Sequence, residues 1–532
     1  MFINEILASN TNNIMDPDFN AHRDWIEIYN NSDKDINLNG YFVSDNYTNP
    51  TKYRIDEDIL VPSKTYLIIW CDDRDTILQA IHTNFKLKAS EYRIALYSAD
   101  TSLIDSVSFT HQKTDISYGR VPDSYCQWAS YGEVTPGKIN SNKGHRLSLK
   151  PLVSLRSGYY ESDQKIFLLS KDPSVIVRYT LDGTDPTETS ALFPDTLLLT
   201  NRTSEPNVFS AIPTNKDPYG WLPPWISPTG NVFKATVIKL CSFDKEKRAS
   251  DIVYYTYFIA DNMISRYDLP VVSIITNPEH FFDDTTGIYV PGIFHEEGES
   301  GTGNYFQDWE KEVHITYFDP EGSIGFSQNA GIRIQGGSSP ASSLKAFHVI
   351  ARNKYGNDRF SYPLFKETKG NAKNIQQYKR FIIRAWGSCI LNAMFNDALA
   401  HRIMEKSDLD LQAYQPIILF INGEYWGLHE MREANKSNWY FEVHHGVDTD
   451  NPGIDLIYHH DRGDEHHPEA NEGDIESWNN LTEYIHGHDL SKKECYDYVK
   501  TQVDIENLIN YIAQNRTCSV IWDRAHDDPH CP

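Results

Sequence analysis

The chain has 532 residues, a formal net charge of −25 and a pI near 5.2. That charge argues against a general nucleic-acid binder, which needs a basic face for the phosphate backbone. The length exceeds what one hydrophobic core can serve, so we expect three or four domains. No apolar run is long enough to predict a membrane span.

The seven cysteines are widely spaced, with neither a CxxC pair nor a zinc-ligand spacing among them. Their odd number speaks against a complete disulfide framework. The first residues, Phe2 to Ile6, follow a strand pattern and not that of a signal peptide. We therefore expect either a cytosolic protein or a chain whose true N-terminus lies upstream.

Residues 1–140 are predicted to form an all-β sandwich. The run DWIEIYN, residues 24–30, alternates polar and apolar positions as a half-buried strand does. Asp24 and Glu27 are interpreted as solvated residues of this strand and not as a catalytic pair. The strings INEILASN, DWIEIYN and SYGR resemble the lamin-tail domain. This resemblance implies an immunoglobulin-like sandwich that serves as an accessory or attachment module.

Residues 150–260 are predicted to form a second sandwich. The string YTLDGTDPT, residues 179–187, reads as a strand, an Asp-Gly turn and a proline break. It resembles the C-terminal domain of chitobiases and hexosaminidases, which implies an accessory fold with possible polysaccharide or cell-surface attachment, and not glycoside hydrolysis. Residues 207–231, rich in Pro and Trp, are predicted to be an inserted loop. Trp221 and Trp225 would anchor that loop, with stacking on a sugar ring as the alternative.

Residues 265–532 are predicted to form an α+β domain. Leu269–Thr276 is almost continuously apolar, which predicts a strand buried on both faces. Apolar spacing predicts a helix near residues 391–403, and Asn422-Gly423 predicts a hairpin turn. The histidine-rich stretch 459–467 is interpreted as a polar loop, with metal binding as the alternative.

The stretch GIRIQGGSSPASSLKAFHVI, residues 331–350, joins two alternating segments through a small-residue turn. Alternation places Lys345 on the same face as Phe347 and Val349, where a charge is costly without an anionic partner. Such a turn followed by an inward lysine is one way to hold the phosphates of a nucleotide. The alternative is a glycine-rich hairpin whose lysine extends to water.

The strings DLPV, AGIRIQGGSS, NDAL, NGEYWG and MRE, in this order, resemble the CotH kinase family of atypical protein kinases. The resemblance implies a bacterial, secreted or cell-surface protein that phosphorylates a protein substrate with ATP and magnesium. Carried onto this chain, it implies a phosphate cradle at Gly336, Gly337, Ser338 and Ser339, with Lys345 on the phosphates. Glu433 would be a partner of the lysine or of the metal, with a surface ion pair as the alternative.

The chain departs from the family after the helix predicted at 505–514. An Asn-Thr-Asp-Trp type catalytic loop and a later metal-binding Asp are expected there, but the chain continues from Asn515 to Asp523 without them. Asp523 follows a Trp and is a poor substitute, and the metal ligands are unassigned. The sequence thus predicts a multidomain chain of two immunoglobulin-like sandwiches and an α+β kinase-like domain, interrupted after about residue 514 and impaired in activity. A non-catalytic surface or carbohydrate-binding scaffold is the alternative.

Overall fold

A computed structural model of the chain describes residues 1–46, 48–89, 92–109, 112, 114–120, 128–132, 134–140, 150–169, 175–216, 222, 224–244, 249–299, 301–337, 339–365, 375–385, 395–404, 409–448, 454–462, 465–510 and 512. Strands dominate these residues, and helices are few and short. None of the helices in these ranges is long and apolar enough to cross a membrane.

The first module has thirteen strands in its described residues. They are β1 (Phe2–Leu7), β2 (Trp25–Tyr29), β3 (Ile36–Asn37), β4 (Phe42–Ser44), β5 (Tyr53–Arg54), β6 (Leu60–Val61), β7 (Tyr66–Trp70), β8 (Thr76–Ile77), β9 (Ile81–His82), β10 (Tyr92–Tyr97), β11 (Leu103–Phe109), β12 (Ser117–Arg120) and β13 (Trp128–Tyr131). One sheet has the order β13-β12-β1-β2-β7-β9-β8 and a second the order β11-β10-β4-β5, while β3 pairs with β6. Ile3, Ile26, Val43 and Ile94 belong to the core between them.

The predicted strand at 24–30 is β2, but its carboxylates are not solvated as expected. Glu27 is fully buried and accepts hydrogen bonds from the Asn4 side chain and from the backbone N–H of Gly137. Asp24 is half-buried and accepts from the N–H of Asn10, and burial raises its pKa to about 6. Alternation identifies the two faces of a strand, but here both faces of β2 are covered, so the solvated interpretation was wrong.

The second module contains β14 (Gly158–Tyr160), β15 (Gln164–Ile166), β16 (Val175–Thr180), β17 (Ala191–Leu192), β18 (Leu197–Leu199), β19 (Thr236–Asp244) and β20 (Val253–Ile259). Its main sheet has the order β14-β20-β19-β16-β17, and β15 pairs with β18. The YTLDGTDPT string begins in β16 and turns at Gly183, whose φ of +87° suits a residue without a Cβ.

The third module contains β21 (Val271–Ile275), α1 (Pro278–Phe282), β22 (Lys311–Phe318), β23 (Ile324–Gln335), β24 (Ala346–Ile350), β25 (Phe360–Ser361), β26 (Gln377–Tyr378), β27 (Arg380–Arg384), α2 (Asn396–Ile403), β28 (Tyr414–Ile421), β29 (Glu424–Glu433), α3 (Asn438–His445), β30 (Leu456–Arg462), β31 (Glu465–Glu472), α4 (Glu476–Gly487) and α5 (Lys493–Gln502). Short 3-10 turns occur at Asn304–Phe306, Ser339–Ala341 and Asn353–Tyr355. Seven of the strands close a barrel in the order β21-β22-β23-β24-β27-β29-β28.

The described part of the third module is therefore mostly β, where an α+β domain was expected. The predicted hairpin is β28–β29, and the predicted helix at 391–403 is described as α2, from Asn396 to Ile403. The histidine-rich stretch is not a loop: β30 and β31 pair through it, with His460 opposite His467 in the register. Residues 513–532, where the interruption was predicted, lie outside the described residues.

The second and third modules share a hydrophobic core. Its fully or nearly buried residues come from both modules: Phe233, Ala235, Phe258, Ala260, Met263, Val271, Phe318, Ile418 and Phe420. Strand β21 lies between two cores, because Val272 and Ile274 face the barrel interior while Val271 faces the shared cluster. This explains why its sequence is almost continuously apolar.

Candidate functional site

Lys345 lies directly before β24, at one end of the barrel interior. Its side chain is fully buried. Its Nζ donates to the carbonyl oxygens of Pro340 at 2.7 Å and Ser342 at 2.8 Å, and it lies 3.9 Å from the ring centroid of Tyr305. The backbone N–H of Lys345 donates to the hydroxyl of Tyr289. Lys345 thus points inward, as alternation predicted, and the interpretation that it extends to water was wrong.

Burial also changes the pKa of this lysine. Desolvation lowers the pKa of Lys345 well below its usual value, because the low-dielectric interior disfavours the ammonium form. Within the described part of the chain no carboxylate pairs with Lys345. Two carbonyl oxygens accept N–H groups of the amine in place of a carboxylate.

The turn before Lys345 depends on Gly336. Its φ is +124°, and a Cβ built there would lie 2.0 Å from the hydroxyl oxygen of Ser339. Gly336 and Gly337 are both exposed, and a Cβ at Gly337 would meet nothing within 4 Å. Ser338 lies outside the described residues. The chain is therefore open to solvent at Gly336 and Gly337, while the lysine that follows is enclosed.

The structure does not bring Glu433 to Lys345. In the barrel register Glu433 pairs with Phe381, which pairs with Val349. Lys345 precedes Val349 by four residues, which is about 13 Å along a strand. Glu433 is fully buried and accepts from Nε2 of His444 at 2.7 Å, so the surface ion pair was also wrong.

His429 is a buried residue of the barrel interior that the sequence analysis did not select. Phe347, Ile383 and Met431 form one row across the barrel interior, and Lys345 and His429 each lie two residues beyond it on the same side. His429 is fully buried, its Nε2 has no hydrogen-bond partner among the described residues, and burial lowers its pKa to about 4. Alternation along β29, which places His429 on the same face as Met431, is the signal that could have revealed it.

Three family models match the chain. The CotH kinase protein model matches residues 332–527, the lamin tail domain model residues 1–111, and the chitobiase/β-hexosaminidase C-terminal domain model residues 155–256. The third module carries a CotH kinase domain. No curated protein matches the chain.

The match to the CotH domain bears on two of the sequence predictions. It extends to residue 527, past the interruption predicted after residue 514, and so gives that prediction no support. Asp523 lies inside the match but outside the described residues. Among the described residues, no group of three or more His, Cys, Asp or Glu side chains is placed to hold a metal ion.

The inserted loop of the second module lies against the CotH domain, next to the glycine turn. The hydroxyl of Thr214 donates to the carbonyl oxygen of Ser343 at 2.6 Å, and Nδ2 of Asn215 donates to that of Ala341 at 3.1 Å. Asn215 in turn accepts from the backbone N–H of Trp225. Trp225 is half-buried, and its role as an anchor of the loop stays a prediction, while Trp221 lies outside the described residues.

Proposed function

We propose that this chain is a CotH-type protein kinase that transfers the γ-phosphoryl group of ATP to a serine or threonine of a protein substrate, with magnesium. The observation that carries the proposal is the CotH match, which begins at Ile332 in β23 and includes the glycine turn, Lys345 and Glu433. The exposed turn and the inward lysine support it.

In this proposal the turn at Gly336, Gly337, Ser338 and Ser339 holds the phosphates. Glycine lets the backbone approach an anion closely, and the N–H groups of a tight turn favour negative charge. The φ of +124° at Gly336 would strain any residue that has a Cβ, so the turn favours glycine at this position. ATP, when bound, would supply the phosphoryl group.

Lys345 would exchange its acceptors on binding. Its amine now donates to the carbonyl oxygens of Pro340 and Ser342. To reach a phosphate, the amine must leave these carbonyls. A nearby anion favours the ammonium form, so the pKa of Lys345 would rise on binding.

Glu433 and Asp523 are the candidates for the remaining roles. In the described part of the chain, no three carboxylate or imidazole groups converge where they could hold magnesium. One oxygen of Glu433 accepts from His444, and the other is buried and has no hydrogen-bond partner in the described part of the chain, so Glu433 stays a candidate. Asp523 remains the candidate next to the acceptor hydroxyl.

The partners follow from the same resemblances. A protein is the expected substrate, and the CotH family suggests a spore-coat or surface location. The chitobiase-like module suggests a relation to carbohydrate, in which the two sandwiches attach the enzyme to a surface polymer. These assignments are part of the proposal.

The test is ATP binding followed by phosphoryl transfer. We expect the full chain to bind ATP in the presence of magnesium, and the Lys345→Met variant to bind at least about tenfold more weakly, since a charge-assisted hydrogen bond contributes about 1.5–3 kcal/mol. Lys354→Met is the matched control, because Lys354 is partly exposed and pairs with Glu310. Incorporation of labelled phosphate then separates a kinase from a scaffold: binding without transfer by any chain would favour the non-catalytic alternative.

A further inference from the structure

The carbonyl groups of residues 340–343 accept hydrogen bonds alternately from Lys345 and from the second module. The carbonyl oxygens of Pro340 and Ser342 accept from Nζ of Lys345. Those of Ala341 and Ser343, which alternate with them, accept from the side chains of Asn215 and Thr214. The segment 340–343 is therefore held from one side by the lysine and from the other by the inserted loop.

The loop also contributes to the wall of the lysine pocket. Leu222 packs in one buried cluster with Tyr305 and Ala341. The ring of Tyr305 is the one that lies 3.9 Å from Nζ of Lys345. A residue of the second module thus supports the aromatic ring on which the lysine packs.

The base of the loop is fixed to the barrel. The carboxylate of Glu424, at the start of β29, accepts from the backbone N–H groups of Val208 and Ser210, each at 2.7 Å. Glu424 is almost fully buried, and hydrogen bonds to a buried carboxylate are among the stronger ones in proteins. The loop is therefore held at its base and against segment 340–343.

We infer that Thr214 and Asn215 are positioning residues for Lys345: they hold segment 340–343 in the conformation whose carbonyls bind the amine. The second module is then part of the phosphate site and not only an attachment module. The consequence for ATP rests on the proposed function, but the positioning of Lys345 can be tested without nucleotide.

The experiment measures how fast the Lys345 amine reacts with an acetylating reagent in the full chain, read by mass spectrometry. A fully buried amine reacts only when the segment opens, so the rate reports the opening equilibrium. The test variant is Thr214→Val with Asn215→Ala, and Thr214→Ser, which keeps the hydroxyl, is the conservative variant. Asn231→Ala is the matched control, since Asn231 is an exposed residue of the same loop whose Nδ2 donates to the carbonyl of Ser204.

We expect acetylation of Lys345 to be about tenfold faster in the double variant, because both hydrogen bonds from the loop to segment 340–343 are lost and water replaces part of them. The control and Thr214→Ser should react like the original chain. Lys239, a buried lysine of the second module, should keep its rate in every variant.

An unchanged Lys345 rate in the folded double variant would overturn the inference. So would an equal increase at Lys239, since that would show general destabilisation and not positioning. If the double variant does not fold, Thr214→Val alone, which removes one hydroxyl, must show a rise of about threefold. If none of the chains binds ATP, the proposed function fails, but the acetylation rates still decide the role of Thr214 and Asn215.

Discussion

The first module and the pair formed by the second and third modules differ in how they bury their hydrophobic residues. The main hydrophobic cluster around strands β1, β2 and β10 is built from residues of the first module alone. The second module has a small core of its own and contributes to a cluster completed by barrel residues. One module is packed on itself, while the other two are packed on each other.

Buried polar groups show the same difference. Glu5, fully buried in β1, accepts from Ser117 and Thr135 of its own module. In segment 340–343, by contrast, two carbonyls accept from Lys345 and the other two accept from the inserted loop of the second module. A polar network within one module stabilises that module, whereas one shared by two modules can couple them. Sequence similarity to an accessory domain therefore does not make the second module independent of the barrel.

The largest expected effect is at the turn-to-turn contact of the paired modules. A Cβ at Gly183 would lie 2.5 Å from the carbonyl oxygen of Thr276 and 2.7 Å from the side chain of Asn422. Because φ is also positive there, we expect Gly183→Ala to lower the free energy of unfolding of these modules by about 3–4 kcal/mol. Denaturant titration with segment-resolved hydrogen exchange measures it.

Gly230→Ala is the control for that substitution, since a Cβ there would meet nothing within 4 Å. It should change stability little. A Gly183→Ala chain as stable as the original, or one that lost protection in the first module as well, would contradict the division between the regions.

The effect of His429 on the pH dependence of stability should be confined to the barrel. Burial lowers the pKa of His429 to about 4, from 6.5 when exposed. The unfolded chain therefore binds more protons between these values, and the free energy of unfolding falls as the pH drops from about 6.5 to about 4. At pH 4, protonation of His429 in the unfolded chain lowers the free energy of unfolding by about 3 kcal/mol.

The His429→Phe variant should lack this pH-dependent contribution. Its free energy of unfolding should therefore fall less than that of the original chain between pH 7 and pH 4. His314 and His348, whose pKa values are also lowered to about 4, keep their own contributions in both chains. Parallel pH profiles of the two chains would show that His429 is not a buried neutral residue.

A substitution at Glu5 should change the stability of the first module alone. Replacement of Glu5 by Leu leaves the hydroxyls of Ser117 and Thr135 without this acceptor, and we expect a loss of about 2 kcal/mol in the stability of the first module. Hydrogen exchange of the barrel should not change. Glu57→Leu, at an exposed position, is the control, and faster exchange in the barrel would contradict the separation.

The smallest effect on stability is expected at Lys345. Met is an unbranched side chain of similar length, and Lys345→Met removes a desolvated amine at the cost of two carbonyl partners. These terms oppose each other, so the free energy of unfolding at pH 7 should change by less than about 1 kcal/mol. Thermal and urea unfolding measure it. A loss of several kcal/mol would show that the lysine is held there mainly for the fold.

Local patterns predicted the strands and hairpins well where apolar residues alternate. Strand β2, the hairpin β28–β29 and the inward direction of Lys345 were all visible in the sequence. The hairpin β30–β31 was missed because its polar and histidine-rich residues carry no apolar alternation. Local patterns report which residues share a face, but not what covers that face.

The covering groups could not be predicted because they are distant in sequence. Thr214 reaches Ser343 across 129 positions, and Asn215 reaches Ala341 across 126. Nothing in either segment alone indicates the other. The carbonyl acceptors of Lys345 lie only three and five residues before it, but their direction depends on the path of the turn. Backbone groups therefore stand where its burial suggested an anionic partner.

The most direct test of the shared site is a titration of ATP and magnesium into three full-length chains: the original, Asn215→Ala and Asn231→Ala. If the second module completes the phosphate site, the original and Asn231→Ala chains bind equally and Asn215→Ala binds up to about tenfold more weakly, as expected for the loss of a hydrogen bond that positions the lysine segment. Equal binding by all three chains would contradict it.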